Sequence, residues 1–396
     1  MSDDSAVPAP PARRSRLLSS PGWRWAVPAG AVAVIAGGIA VSSANADAAA
    51  NLPPKTAAQL LVDVANAPQH PLSGTVVETA RLGLPDLPGQ AAGTSLQSLV
   101  TGSHTARVWY GTDAKARISL VGDLAETDVV RNGTDVWLWS STTNEATHYR
   151  LPGNAPATAA VPPTLQDPAA AAQQALAAID PSTKVQVDGT GHVAGRPVYE
   201  LVLQPKDTRS LIASVRIAID GATSVPLRVQ VFAKGGTEPA AETGFQAVQF
   251  AQPDASIFRF TPPKGAKITE GTLPGRVSAG GGAQGGAATP APGARTPTHR
   301  AGPVDEGSGD VVGSGWTAVA VMPGVNLAAL GRDATAATLL RATSSVTLPD
   351  KSTGRLLTTP LLSVLIVGDT AYVGAVDPSV VEQVATTHPS TATANR

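Results

Sequence analysis

The spacing of apolar and polar positions changes period three times along the chain. Trp25–Val41 is an uncharged, largely apolar run, and Thr56–Ala65 places Ala57, Leu60, Leu61 and Val64 at i, i+3, i+4 and i+7, which predicts an amphipathic helix over 56–67. From Gly74 to Phe260 the apolar residues fall instead in short alternating or β-branched runs separated by Gly, Pro, Asn and Asp, the pattern of a meandering antiparallel sheet. The predicted strands are 75–80, 105–111, 115–121, 127–131, 135–140, 146–150, 185–190, 197–204, 213–220, 226–233 and 244–250. Asn132-Gly133 tolerates positive φ at both positions and predicts a tight hairpin between two of them. One Ala-rich segment, 168–179, opens on Pro168 and predicts a helix crossing the sheet. The class is therefore α+β, with helices laid over a large sheet.

Several strands are apolar on both faces. Trp137 and Trp139 share one side of their strand while Val136 and Leu138 share the other, and Tyr199, Leu201 and Leu203 oppose Val198 and Val202. Others carry polar residues on one side: Val215, Ile217 and Ile219 alternate with Arg216 and Ala218, and Leu227, Val229 and Val231 with Arg228 and Gln230. A curved sheet roofed by helices produces this pattern whether it closes on a packed core or encloses an apolar cavity, and alternation alone leaves both open.

The flanking charges give the first apolar run its meaning. Arg13, Arg14, Arg16 and Arg24 precede it, and Ala44-Asn45-Ala46 follows with the small-x-small pattern of a signal-peptidase site. Residues 1–24 read as a cytoplasmic tail and 25–46 as a signal peptide or a transmembrane helix, so everything beyond is expected outside the cytoplasm, anchored to the membrane or released by cleavage after Ala46. Residues 42–54 form a spacer ending in Pro53-Pro54. The folded domain is expected over 55–275 and a Gly/Pro/Ala linker over 276–310. A β/α extension, 311–388, follows, with strands at 316–321, 363–368 and 371–376 and helices at 326–346 and 379–387; at this size it is expected to dock on the main sheet.

Composition narrows the chemistry. The formal net charge is −1 and no Lys/Arg-rich run follows the first 25 residues, which removes the electrostatic term of nucleic-acid binding. With no cysteine there is no disulfide framework, thiolate metal site, Cys nucleophile or lipidated Cys anchor. The six histidines, His70, His104, His148, His192, His299 and His388, are scattered without metal spacing, and His104, His148 and His192 are expected as solvated side chains beside turns. Val312-Gly313-Ser314-Gly315-Trp316 lacks the strand-to-helix context of a nucleophile elbow and reads as the turn that opens the last β unit. The glycines at 280–282 likewise lack the flanking strand and helix of a phosphate loop. Asp123, Glu126 and Asp128 are the densest carboxylate group and lie at a turn, where paired-carboxylate hydrolysis is the alternative to solvation. No catalytic role and no cofactor is assigned on this basis.

Longer stretches carry a resemblance. Gly195-Arg196-Pro197-Val198-Tyr199-Glu200-Leu201-Val202-Leu203-Gln204-Pro205-Lys206, Ile219-Asp220 with Val225-Pro226-Leu227-Arg228-Val229, and Phe258-Arg259-Phe260-Thr261-Pro262-Pro263 are similar to the LolA-like family of lipoprotein carriers and lipid-binding proteins. Arg107-Val108-Trp109-Tyr110-Gly111 and Gly133-Thr134-Asp135-Val136-Trp137-Leu138-Trp139 look like its early strands. The resemblance covers roughly residues 56–268, with a weaker likeness in 313–378, and consists of strands and turns rather than a chemical motif. It implies a half-open antiparallel β-barrel whose apolar interior holds lipid or lipoprotein acyl chains under helices 56–67 and 168–179. The residues expected to line that cavity are Trp109, Trp137, Trp139, Tyr149, Leu201, Leu203, Ile217 and Val229. The same fold, in proteins resembling the RseB N-terminal domain, binds an anti-sigma factor or other membrane regulatory protein, a second expectation of a different class. The linker and the C-terminal piece are extra to the minimal fold.

Overall fold

The computed structural model describes residues 50–83, 102–112, 114–122, 125–153, 168–271, 310–325 and 334–389. The arginine-flanked segment 1–46, nearly all of the linker, His299 and Asp123 lie outside the described residues. Among the described residues no helix is long and apolar enough to cross a membrane.

The alternating runs form one 12-stranded sheet. Its strands are β1 (Leu72–Ala80), β2 (Gly102–Tyr110), β3 (Lys115–Val121), β4 (Glu126–Asn132), β5 (Asp135–Ser140), β6 (Glu145–Arg150), β7 (Thr183–Val193), β8 (Arg196–Pro205), β9 (Ile212–Asp220), β10 (Pro226–Ala233), β11 (Pro239–Gln249) and β12 (Lys267–Gly271). The spatial order is β12-β6-β5-β4-β3-β2-β1-β11-β10-β9-β8-β7. Two meanders thus meet where β1 pairs with β11. The hairpin is present but its loop is one residue further on than expected: Asn132 pairs with Asp135 as the last residue of β4, so the loop is Gly133-Thr134, and Gly133 alone takes positive φ (+65°).

The barrel expected from the resemblance is met only in part. Among the described residues the protein is mostly sheet with few helices, but edges β12 and β7 are not joined to each other, and β12 runs parallel to β6. β12 was not expected, because Lys267-Ile268-Thr269-Glu270-Gly271 has no alternation to bury. Pairing fixes it instead, through the β6 ladder and a 2.6 Å bond from Lys267 Nζ to Glu145.

Two helices lie on this sheet. α1 (Ala57–Ala65) starts at a capping box in which the Thr56 hydroxyl accepts from the Gln59 amide and the Gln59 side chain accepts from the Thr56 amide. α2 (Pro168–Ala177) has Pro168 at its first position and packs on β10 and β11 through Ala171, Ala172 and Ala175.

After the linker a second sheet forms, six strands in the order β13-β14-β18-β17-β16-β15. These are β13 (Asp310–Val312), β14 (Val319–Met322), β15 (Ser344–Thr347), β16 (Thr353–Thr358), β17 (Ser363–Val367) and β18 (Thr370–Gly374). α3 (Ala334–Arg341) touches β16, and α4 (Pro378–Thr387) buries Val381 against Leu365 and Tyr372. Two expectations are corrected here. The helix expected to run to residue 346 ends at Arg341, and Ser344–Thr347, with β-branched Val346 and Thr347, joins the sheet; β16 was not anticipated. The strand expected at 316–321 begins instead with a tight turn at Gly315–Thr317, because Trp316 turns away to bury itself in the main core. The two sheets are joined by a bridge between Ser210 and Val376, by the Leu211 amide on the Ala375 carbonyl (2.9 Å) and by the Asp377 amide on the Arg209 carbonyl (2.8 Å).

Candidate functional site

Directly paired residues of an antiparallel sheet project to the same side, so the register defines rows of side chains across β8, β9, β10, β11 and β1. One row is Leu203, Val215, Val231, Ala241 and Ala80; the next is Leu201, Ile217, Val229, Thr243 and Glu78, continuing to His104 on β2. Leu201, Leu203, Ile217 and Val229 are completely shielded from solvent and belong to one apolar cluster. Its roof is α1, through Leu60, Leu61 and Val64, and α2, through its alanines. Trp316, Leu361 and Ala375 enter from the C-terminal sheet, with Trp316 Nε1 donating to the Thr183 hydroxyl at 2.7 Å.

The reverse side of the same strands is polar where the sequence alternates. Arg228 donates to Glu200 at 2.9 Å, and the bare Cα of Gly244 leaves room for the Arg228 stem, whose Cγ lies 3.1 Å from where a Cβ would sit. At the β9–β10 turn, Asp220 is fully buried and accepts from Arg196, from the Ala222 and Thr223 amides and from the Thr223 hydroxyl. Burial pushes its carboxyl up, but the bonds from Arg196 and Thr223 outweigh this and hold it below the usual aspartate value.

The chain entering α1 is fastened to the sheet. The Tyr199 hydroxyl donates to the Pro53 carbonyl at 2.6 Å, the Thr190 hydroxyl donates to the Ala50 carbonyl at 2.8 Å, and Lys55 Nζ stands 5.2 Å from the Tyr199 ring centroid. Leu52 lies over Gly221, where a Cβ would come within 2.7 Å of it.

The other four expected lining residues lie elsewhere. Trp109, Arg117, Val130, Trp137 and His148 form a row across β2 to β6. Here Arg117 lies over the Trp109 ring at 5.9 Å, Trp137 stacks on His148 at 4.5 Å, and Phe260 covers Trp137 at 5.4 Å. Trp139 sits on the same face, opposite Asp128, with its indole N–H buried and without a hydrogen-bond partner among the described residues. Tyr149 faces the opposite way and packs with Val136 and Leu138 in a second apolar cluster. The eight residues therefore do not form one lining: four meet under α1 and α2, and four do not.

Two histidines depart from the solvated state expected of them. His104 is buried opposite Glu78, and His148 is clasped between Asp135 (3.0 Å) and Glu270 (3.1 Å), since β12 covers what alternation alone leaves as an edge. Of the carboxylates near the β3–β4 turn, Asp128 is buried on Arg117 and Ser119, a structural pairing, while burial and then Asp128 raise the Glu126 carboxyl above its ordinary value. Among the described residues no three His, Asp or Glu side chains gather as a metal site.

The residue that pattern reading passed over is Glu78. It sits at the apolar parity of β1, between Val76 and Ala80, and burial pushes its carboxyl up to about 8. A lone acid at an apolar parity position was the available signal.

Residues 105–252 match the MucB/RseB N-terminal domain, while no curated protein matches the chain. Similar solved structures include the MucA/MucB complex of Pseudomonas aeruginosa (17% identity, 83% of this chain and 96% of that one, TM-score 0.38). An uncharacterized conserved protein of Thermus thermophilus gives 16% identity, coverage of 54% and 98% and a TM-score of 0.32. The LolA superfamily protein NE2245 of Nitrosomonas europaea gives 11%, 52% and 99%, and 0.21. The RseB-like part of the resemblance carried by the strand motifs agrees with the family comparison, whose match runs from β2 to just past β11.

Proposed function

We propose that the chain is an extracytoplasmic, membrane-associated binding protein that holds a lipid, or the acyl moiety of a lipoprotein, between β8–β10 and the helices α1 and α2, the sheet acting as a half-open barrel. The observation that carries this reading is the asymmetry of the roof. The sheet offers Leu201, Leu203, Ile217 and Val229, whereas the fully buried apolar side chains of α2 are small, Pro168, Ala171, Ala172 and Ala175, with Leu176 only half-buried against the cluster. Alanines bury little area, so lifting α2 forfeits mainly the Leu176 contact, while an acyl chain laid on the rows so uncovered gains about 0.8 kcal/mol per methylene. The arginine-flanked apolar segment of the sequence accords with the same reading: Ala50, four positions after Ala46, is fastened to Thr190, so a retained segment 25–46 would keep the domain against the bilayer.

Native mass spectrometry of full-length protein tests this. Co-purifying lipid in wild type that is lost in a folded Leu203→Glu variant is the expected result, and lipid retained by that variant overturns the assignment of the site. N-terminal sequencing settles anchorage: a start at Asp47 means release, an intact Met1 or Ser2 a membrane span.

The family match supports a second reading, that of a regulatory module whose sheet and helices bind an anti-sigma factor or other membrane protein. A lipid-free protein that captures a defined anti-sigma factor would favour it over carriage.

A further inference from the structure

The apolar rows are interrupted at one place. Thr243 is 1% exposed and its hydroxyl, itself buried, has no hydrogen-bond partner among the described residues. Glu78, 7% exposed, is its direct partner across β1 and β11, which sets their Cβ atoms about 5 Å apart on the same side of the sheet. On the far side of Thr243 the row continues through Val229, Ile217 and Leu201, all fully buried. An orphaned buried hydroxyl costs about 1–3 kcal/mol, and such a group in a native fold calls for a ligand or a water to satisfy it.

We propose that Glu78 and Thr243 form the polar end of the acyl site and hold the neutral carbonyl of an ester- or amide-linked acyl chain, whose methylenes lie over Val229, Ile217 and Leu201. This rests on the acyl-binding reading above and adds to it the chemical class of the ligand's head. A carbonyl oxygen has two lone pairs, and the site offers two hydroxyl donors, the threonine O–H and the protonated carboxyl. The carboxyl keeps its proton at neutral pH because burial pushes it up to about 8. A free carboxylate or phosphate is disfavoured: the row carries no lysine or arginine, and beyond Glu78 its one ionisable side chain is His104.

The test is binding of four probes to the full chain at pH 7: methyl hexadecanoate, an N-alkyl hexadecanamide, hexadecanoate and hexadecane. Wild type is expected to bind the ester, the amide or both about tenfold tighter than the alkane. Whichever is bound tells an O-acyl from an N-acyl source. Glu78→Leu and Thr243→Val, which suit an apolar neighbourhood and preserve the fold, should lower ester and amide affinity to the alkane level without changing alkane affinity. Glu78→Gln keeps a donor and should keep the preference. Unchanged ester and amide affinity in both apolar variants, or hexadecanoate as the tightest ligand, overturns the inference while leaving the acyl-binding reading intact. Failure of wild type to bind any of the four overturns both.

Discussion

The Tyr199 hydroxyl donates a 2.6 Å hydrogen bond to the Pro53 carbonyl, so a residue in the middle of the apolar face also fastens the chain that leads into α1. One side chain thereby ties the floor of the site to its roof. Tyr199→Phe leaves the ring packing unchanged and removes only the bond, at a cost of about 1 kcal/mol. Hydrogen exchange should show α1 amides opening faster while the β8–β10 amides keep their protection. Unchanged exchange in α1 would mean that the helix is held by Leu60 and its neighbours alone.

Asp220 organises the β9–β10 turn from a fully buried position, with Arg196 as its counter-ion. Removing one partner of such a pair strands the other, so Asp220→Ala should lower stability by about 3 kcal/mol in denaturant unfolding. Its carboxyl is held below the ordinary value in the fold, so the stabilisation is complete above the unfolded-state value and is lost as pH falls through the folded one. In Asp220→Asn, acid unfolding should therefore lose the component that titrates in this strongly acidic range.

Glu78 gives the opposite sign. Its carboxyl sits near 4.5 when unfolded and at about 8 when buried, so the folded state holds a proton that the unfolded state releases between these values. Stability should decline as pH rises from about 4.5 to about 8 and level off above. Glu78→Gln should flatten this slope and be the more stable protein at pH 8, by on the order of a few kcal/mol. An equal slope in wild type and variant would assign the titration to another group.

The strands were legible because alternation reports a face that must be buried. β3, β5 and β10 lie where the pattern puts them, and Leu201, Leu203, Ile217 and Val229 share one cluster because two-residue periodicity survives any twist of the sheet. Trp109, Trp137 and Trp139 show where this stops. Periodicity says that the two tryptophans of β5 share a side, but which side joins the β8–β10 face depends on how the first meander meets the second at β1–β11, a long-range pairing that local sequence does not encode. β12 was hidden for a different reason: an exposed polar strand held by Lys267–Glu145 and Glu270–His148 has no apolar signature.

Trp316 couples the two sheets. It comes from the turn before β14, yet it is buried in the main cluster beside the β8–β10 residues and donates through Nε1 to Thr183 at the start of β7. The backbone joins between Arg209–Leu211 and Ala375–Asp377 lie at the opposite end of the smaller unit's sequence, so Trp316 is an independent point of attachment. Trp316→Ala removes the indole and leaves a cavity in the main cluster, at a cost of about 3–5 kcal/mol. Thr183→Val removes the acceptor, along with a long 3.4 Å bond from the Thr183 hydroxyl to Asp180, and should cost about 1–3 kcal/mol chiefly by orphaning the buried N–H. If the C-terminal sheet is a docked part of the proposed acyl site, a chain cut within the expected 276–310 linker should release its C-terminal fragment in Trp316→Ala and not in wild type, and lipid retention should weaken with it. Fragment release with lipid retention intact would show that the smaller sheet braces the large one from outside the ligand's path.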